Sequence, residues 1–294
     1  MKERYIKSPL NYVGGKYKLL SQIIPLFPND IRVFIDLFGG GFNVGINVKA
    51  KYIVYNDACT QVADLLKNFY NNKANDVHEK ILDTITNYGL SRSDLNGYEV
   101  YNCNSNNGLS EYNKPKYIKL RDDYNGNPDW IKFYTLVAYS FSNQIRFNSN
   151  GQFNMPCGKR DYNASLQEKL KVFIEKMHNK NITIINKDFR EVNYSNFSKD
   201  DFIYCDPPYF NSVAAYNENG GWSEDDEKSL LYILDTLNEK GVKFALSNNL
   251  KYENPFLDKW KDKYNVHYLN GNYSNCNYQK VDRSKDIEVL ITNY

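Results

Sequence analysis

Asp201-Phe202-Ile203-Tyr204-Cys205-Asp206-Pro207-Pro208-Tyr209 is the stretch that decides how this chain folds and where its chemistry sits. The first five residues, rich in aromatic and β-branched side chains, read as a short buried strand. Two consecutive prolines then stop any strand or helix, because neither has an N–H to donate and each fixes φ. The outcome is a rigid ledge at the carboxyl end of a strand, with a carboxylate at its start and an aromatic ring at its end. In open α/β sheets that is the position at which ligands bind.

Outward from the ledge, short apolar runs alternate with helix-like segments, the pattern of a mostly parallel α/β sheet. Candidate strands span 32–37, 51–56, 182–186, 201–205, 242–247, 264–269 and 286–292, and candidate helices 16–24, 58–70, 166–178, 224–239 and 252–261. Ser223, with Asp226 three residues on, has the form of a helix-starting cap. Between 71 and 164 the rhythm is lost and asparagine, tyrosine and turn signals dominate. Asn96-Gly97, Asn107-Gly108, Asn125-Gly126 and Asn150-Gly151 read as tight turns, the last flanked symmetrically by Phe147 and Phe153 as in a β-hairpin. This region reads as a second module, 71–164, inserted between 1–70 and 165–294.

The chain of 294 residues has 26 tyrosines, 16 phenylalanines and a net charge of +2, which permits a polyanionic partner without announcing one. Cys59, Cys103, Cys157, Cys205 and Cys276 form no CxxC pair and are odd in number, so reduced thiols are expected, with neither a disulfide framework nor structural zinc. His78, His178 and His267 are isolated, and no metal site is expected. No apolar run reaches the length of a membrane span, and MKERYIKSPL lacks a signal-peptide core, so a cytosolic protein is expected.

A second cluster, Phe34-Ile35-Asp36-Leu37-Phe38-Gly39-Gly40-Gly41-Phe42-Asn43-Val44-Gly45, couples a buried strand to a glycine-rich turn, after which 43–50 can begin a helix. The spacing is not GxGxxG, and no phosphate-binding lysine follows. Asp57, at the end of the next strand, is placed to accept hydrogen bonds from ribose hydroxyls or to cap a helix from Ala58. Together these point to a nucleoside-bearing cofactor without an obligatory pyrophosphate.

Asn11-Tyr12-Val13-Gly14-Gly15-Lys16, the glycine cluster, the insertion and Asp206-Pro207-Pro208-Tyr209, in that order, resemble the Dam-type (D12 class, α-group) adenine-specific DNA methyltransferases. Glu288-Val289-Leu290-Ile291-Thr292-Asn293-Tyr294 is similar to the end of such enzymes. The resemblance implies a Rossmann-like sheet carrying an inserted helical and β-hairpin DNA-recognition domain. It implies S-adenosylmethionine as methyl donor and N6 of a flipped-out adenine as acceptor. By the same resemblance Tyr12, Lys16, Asp36 and Asp206 contact the cofactor, Asp57 holds its ribose, and Phe38, Gly39 and Gly41 shape its methionine side. Asp188, with Phe189, matches the position that contacts the cofactor's adenine. Asp206 and the Pro207 carbonyl would each accept a hydrogen bond from the amine, and Tyr209 would stack on the base. No covalent intermediate is needed, so Cys205 reads as a buried strand residue.

Residues 141–160 are similar to the target-recognition hairpin of the same family. A two-stranded ribbon fits the major groove, where an arginine can pair with guanine O6 and N7. Arg146 is the first candidate for that contact, with Asn148, Pro156 and Lys159 secondary and Lys159 and Arg160 also suited to phosphate. Lys2, Arg4 and Lys7 read as solvated or phosphate-facing. The loop 211–222 is a candidate lid over the base or an ordinary exposed loop. Double-stranded DNA is the implied partner, at GATC or another short site, with the enzyme working alone or beside a restriction nuclease that acts separately. Methylation of RNA bases or protein amides, which also uses proline-proline-aromatic ledges, and a binding protein that lost catalysis are the competing readings.

Overall fold

The computed structural model describes residues 5–12, 14–104, 106–212, 221–270 and 287–294. The strands are β1 (Ile31–Asp36), β2 (Ala50–Asn56), β3 (Ile182–Ile185), β4 (Phe202–Cys205), β5 (Lys243–Asn249), β6 (Asn265–Leu269) and β7 (Glu288–Thr292). Each overlaps a strand expected from the sequence; residue 286, where the last was expected to begin, lies outside the described residues. They form one sheet in the order β3-β2-β1-β4-β5-β7-β6. Pairings are parallel from β3 through β5, and β7 runs antiparallel to both β5 and β6. The sheet is thus mixed, with a single reversed strand near one edge. Every residue of β4 and β7 is buried, which is why Phe202–Cys205 and 289–291 read as unbroken apolar runs rather than alternating ones.

The order reverses between β1 and β4: from β1 the chain winds one way to β2 and β3, and from β4 the other way to β5. Such a reversal opens a crevice beyond the carboxyl ends of the two central strands. Asp36 closes β1, and Asp206 follows β4 directly.

The helices are α1 (Leu20–Ile23), α2 (Thr60–Asn71), α3 (Ala74–Tyr88), α4 (Ser93–Asn96), α5 (Ser110–Gly126), α6 (Trp130–Tyr139), α7 (Ala164–His178), α8 (Glu224–Glu239) and α9 (Pro255–Trp260). α8 matches its expected span, and its start is the expected capping box: Ser223 Oγ accepts from the Asp226 N–H while Asp226 accepts from the Ser223 N–H. The helix expected at 16–24 is broken into a 3₁₀ turn at Lys16–Leu19, α1 and a second 3₁₀ turn carrying a proline. The helix expected after the glycine cluster shrinks to a 3₁₀ turn at Gly45–Asn47.

By compactness the chain divides into two units, one of residues 1–5, 16–59 and 181–294 and the other of 6–15 and 60–180. The first holds the sheet with α1, α8 and α9. Its core includes Ile35, Leu37, Ile203, Cys205, Leu234, Phe244, Val289 and Ile291.

The second unit is rich in helix, although turn signals dominate its sequence. α3, α5 and α6 all lie within 71–164. Asn125-Gly126, read as a tight turn, instead ends α5. The Asn125 amide behaves like a strand backbone there, accepting from the Phe153 N–H at 2.9 Å and donating to the Phe153 carbonyl at 3.1 Å. That pairing satisfies a buried peptide group through a side chain, and asparagine was selected for it rather than for a turn. A second buried network joins Asp161 to the Ser91 hydroxyl at 2.9 Å and to the Ser93 N–H at 2.7 Å. Among the described residues no helix is long and apolar enough to cross a membrane.

Candidate active site

Asp36 and Asp206 converge at the switch point because β1 and β4 are neighbours in parallel register, with Asp36 opposite Tyr204. Lys16 completes the group. Its side chain is 2% exposed and its Nζ lies 2.7 Å from Asp206 Oδ1, in an ion pair whose carboxylate side is 17% exposed. The positive φ of +77° at Gly14, two residues before Lys16, is a conformation glycine adopts without strain. Lys16 Nζ also sits 5.1 Å from the centre of the Tyr209 ring, within the reach of a cation–π contact.

The glycine cluster is built by packing as much as by backbone freedom. A Cβ on Gly39 would meet the Tyr55 ring at 2.3 Å, and one on Gly45 would meet the Phe42 ring at 2.2 Å. Tyr55 is fully buried, and its hydroxyl donates to the Gly40 carbonyl at 3.0 Å. Asp36 Oδ2 accepts from the Gly45 N–H at 2.9 Å. Burial pushes the Asp36 carboxyl up to about 7, opposed by that hydrogen bond and reinforced by the charges of Asp206 and Asp57.

Asp57 is half-buried. Its Oδ2 accepts from the Gly40 N–H and its Oδ1 from the Cys59 N–H, both at 2.8 Å. It therefore ties β2 to the glycine turn and makes an Asx turn, rather than capping a helix at Ala58. Each carboxylate oxygen keeps lone pairs for a further donor. Asn56, beside it, donates to the carbonyls of Leu37 and Lys187 at 3.0 and 3.1 Å, latching the ends of β1, β2 and the segment after β3 together.

Asp188 lies in that segment. Arg190 grips it at 2.7 Å and also reaches Asp226 at 2.7 Å, and its hydrogen bond holds the Asp188 carboxyl below the usual range. Phe189 turns inward, its ring centre 5.5 Å from both Phe38 and Trp222. Phe38 and Trp222 meet edge to face at 5.6 Å, which closes an aromatic triangle. Gly41 is buried beside these residues in sequence. Tyr12 is half-exposed and belongs to the second unit; its carbonyl accepts from the Gly15 N–H at 3.2 Å.

At the ledge, Pro207 is buried and Tyr209 half-buried. Tyr209 Oη lies 3.3 Å from Asp206 Oδ1 and 3.2 Å from Glu288 Oε2. The sequence reading missed Glu288. The available signal was an acid heading an otherwise apolar strand, a position at which an unassisted carboxylate would be costly. Burial raises the carboxyl groups of both Asp206 and Glu288, and the Lys16 charge opposes the shift at each. Cys205 is fully buried with its thiol pushed well up, as expected of a strand residue. Residues 213–220 of the candidate lid lie outside the described residues, as do Lys2, Arg4, Val13 and Cys276.

In the second unit the expected hairpin forms. Phe147 and Phe153 bridge in antiparallel fashion, the Asn148 N–H donates to the Gln152 carbonyl at 2.9 Å, and Gly151 takes φ +72° at the tip. Asn148 Oδ1 accepts from the N–H groups of Asn150 and Gln152 at 3.0 and 2.9 Å, so this side chain shapes the turn. Phe147 and Phe153 pack on Phe133 of α6 at 5.8 and 5.9 Å, which roots the ribbon. Arg146 Nε donates to Asn154 Oδ1 and its Nη2 to the Asn154 carbonyl, both at 2.8 Å. Pro156 and Lys159 are exposed. Lys159 Nζ reaches the Asn106 carbonyl at 3.4 Å, and its backbone packs where a Cβ on Gly108 would lie.

Residues 12–275 match the model of the D12 class N6 adenine-specific DNA methyltransferases. The chain is 43% identical over 299 residues to Type II methyltransferase M.FokI of Planomicrobium okeanokoites, covering 99% of this chain and 43% of that protein. It is 36% identical to modification methylase StsI of Streptococcus sanguinis, again over 99% of this chain and 43% of the relative. A DNA adenine methylase of Vibrio cholerae is 25% identical over 82% of this chain and 80% of its own length. The chain thus spans less than half the length of the two more similar relatives. It belongs to the D12 class N6 adenine-specific DNA methyltransferase family, and its seven-stranded mixed sheet is consistent with a methyltransferase fold.

Proposed function

We propose, with membership of the adenine-methylating family as the premise, that this chain transfers a methyl group from S-adenosylmethionine to N6 of an adenine flipped out of duplex DNA, at GATC or a similar short site. The observation that carries this is the Lys16–Asp206 ion pair at the switch point, which places a charged, oriented carboxylate on a proline-stiffened ledge.

The residues at the strand ends fit such a cofactor. The carboxyl groups of Asp36, Asp57 and Asp206 outnumber the Lys16 ammonium there, which suits a cationic ligand. Asp57 is half-exposed with spare lone pairs for ribose hydroxyls. Asp188, Phe189 and the aromatic triangle would hold the adenine end; Asp36, Phe38, Gly39 and Gly41 the methionine end; Lys16 completes the set. When bound, S-adenosylmethionine supplies an electrophilic sulfonium methyl.

The chain's own residues solve the remaining difficulty, which is that the adenine amine is a poor nucleophile with its lone pair spread into the ring. Asp206 meets Lys16 and Tyr209 through Oδ1, which leaves Oδ2 to accept from the amine. The Pro207 carbonyl accepts the second amine hydrogen. Holding both hydrogens out of the conjugated plane localises the lone pair, so that catalysis is positioning plus electrostatic stabilisation. Tyr209 stacks on the extruded base.

Residues 71–164 serve target recognition in this reading, and 1–70 with 165–294 catalysis. Arg146 is the reader. Asn154 occupies its Nε and one Nη2 hydrogen, and three of five guanidinium donors remain for a guanine edge. Asn148, Pro156 and Lys159 flank it, and Lys159 can add phosphate contacts. The enzyme would work alone or beside a restriction nuclease that acts separately, in the cytoplasm.

The test is to incubate the purified chain with unmethylated genomic DNA and labelled S-adenosylmethionine and map methylated adenines by sequencing. Methyl-adenine in one short motif, lost with Asp206→Ala while the fold persists by circular dichroism, is the expected result. Label confined to RNA or protein controls, or near-wild-type turnover by Asp206→Ala, overturns it.

A further inference from the structure

We infer, resting on the methyl-transfer reading above, that Glu288 is a positioning residue for that reaction, held as a neutral carboxylic acid that donates its proton to the Tyr209 hydroxyl.

The topology brings it there. β7 is antiparallel to β5, so its first residue, not its last, lies at the carboxyl end of the parallel strands, with Glu288 opposite Asn249. Glu288 is 4% exposed. Its Oε1 accepts from Asn249 Nδ2 at 3.1 Å. The orientation of that amide is set independently, because Asn249 Oδ1 accepts from the Lys251 N–H at 3.0 Å. Glu288 Oε2 faces Tyr209 Oη at 3.2 Å, and Tyr209 Oη faces Asp206 Oδ1 at 3.3 Å.

A phenol has one hydrogen to donate. Between two ionised carboxylates it could satisfy only one, and its oxygen would face the other with no hydrogen between them. A proton on Glu288 Oε2 closes the chain in a single direction. Oε2–H donates to Tyr209 Oη, Tyr209 Oη–H donates to Asp206 Oδ1, and Lys16 Nζ donates to the same Oδ1 at 2.7 Å. Lys16 decides which carboxyl keeps the proton, because its charge sits on Asp206. Among the described residues, Lys16, Asp206, Tyr209 and Tyr204 are the charged or titratable groups that face Glu288, and burial raises its carboxyl in the sense required. The Tyr209 ring is thereby fixed at its hydroxyl end, which sets the plane on which a base would stack.

Glu288→Gln retains both halves of this geometry, an oxygen for Asn249 and an N–H for Tyr209. Ionisation of Glu288 at alkaline pH should lower the wild-type rate. The expected result is that Glu288→Gln keeps kcat within about threefold of wild type at neutral pH and shows no such decline, whereas Glu288→Ala loses about tenfold or more in kcat with KM for DNA little changed. In a Tyr209→Phe background, Glu288→Ala should add no further loss. Equal damage from Gln and Ala, or the full Glu288→Ala loss persisting in Tyr209→Phe, overturns the proposal. A second measurement is independent of turnover: ¹³C NMR of the glutamate carboxyl carbons, with Glu288 assigned by its absence in Glu288→Gln. A protonated Glu288 at pH 7 supports the proposal and an ionised one overturns it, whether or not the wild-type chain methylates DNA, which is the separate test of the underlying reading.

Discussion

Replacing Lys16 by methionine keeps the length and apolar stem of the side chain and removes one charge at a defined place. Lys16 Nζ and Asp206 Oδ1 are 2.7 Å apart. At an effective dielectric of about 20 the Coulomb attraction at that separation is about 6 kcal/mol. Desolvation of the ammonium and the partial exposure of Asp206, 17%, reduce the net effect, and about 3 kcal/mol is a reasonable share. Removing the ammonium therefore raises the Asp206 carboxyl further, because the Lys16 charge is what opposes the effect of burial there. Only the ionised carboxylate can accept from the adenine amine through a free oxygen while also accepting from Tyr209. Below the shifted limb, Lys16→Met should therefore lose about 100-fold in kcat, and recover as the pH is raised. The assay is methyl transfer to DNA at saturating donor across the pH range, with melting temperature recorded at each point. A Lys16→Met enzyme whose acid limb stays where the wild-type limb lies would refute the charge argument, even if its overall rate were low. Loss of donor affinity alone would appear in KM and leave the limb in place.

Gly39→Ala should destabilise the chain by about 1–3 kcal/mol, since its Cβ would lie 2.3 Å from the rigid, buried Tyr55 ring; chemical denaturation checks this, and an unchanged midpoint would count against it. The Asp36 carboxyl sits at about 7 in the folded chain against an ordinary 3.8, so the native state holds the extra proton between those values. Stability contributed by this group is full below about 4 and is lost as pH rises to about 7, by about 4 kcal/mol in all. Asp36→Asn should consequently gain melting temperature over wild type at pH 8 but not at pH 4, and an equal offset at both would contradict the assignment. Asn154→Ala frees the Arg146 Nε while leaving the backbone bond from Asn154 N–H to the Arg146 carbonyl. It should raise KM for DNA about tenfold and relax the methylated motif, with KM for the donor unchanged; a sharp, unaltered motif would show that Asn154 does not orient the reader.

All seven strands were legible, β4 and the first half of β5 as apolar runs because they are buried on both faces. α8 was legible to the residue because its capping box lies in four consecutive positions. The helices between 71 and 164 were not. Their surfaces are dense in asparagine and tyrosine, and those asparagines do tertiary work that local preference does not report, as at Asn125 and at Asn113, whose side chain donates to the Ser91 hydroxyl at 2.9 Å. Asp188 was picked out through the family resemblance, but its pairing to Arg190 and Asp226 depends on α8 lying beside it.

The residues by themselves determined the ledge, the glycine turn and the hairpin tip. Each is a short-range consequence of what proline forbids, what a missing Cβ permits and what Asn-Gly favours. Asp206 and Tyr209 could be named from nine residues. Only the tertiary structure decided how those groups are charged. Lys16 comes to Asp206 from 190 positions away, and Glu288 comes to Tyr209 from 79. The second approach exists because one strand of the sheet is reversed. Strand direction is a property of how the whole sheet is wound, and no local run of sequence encodes it.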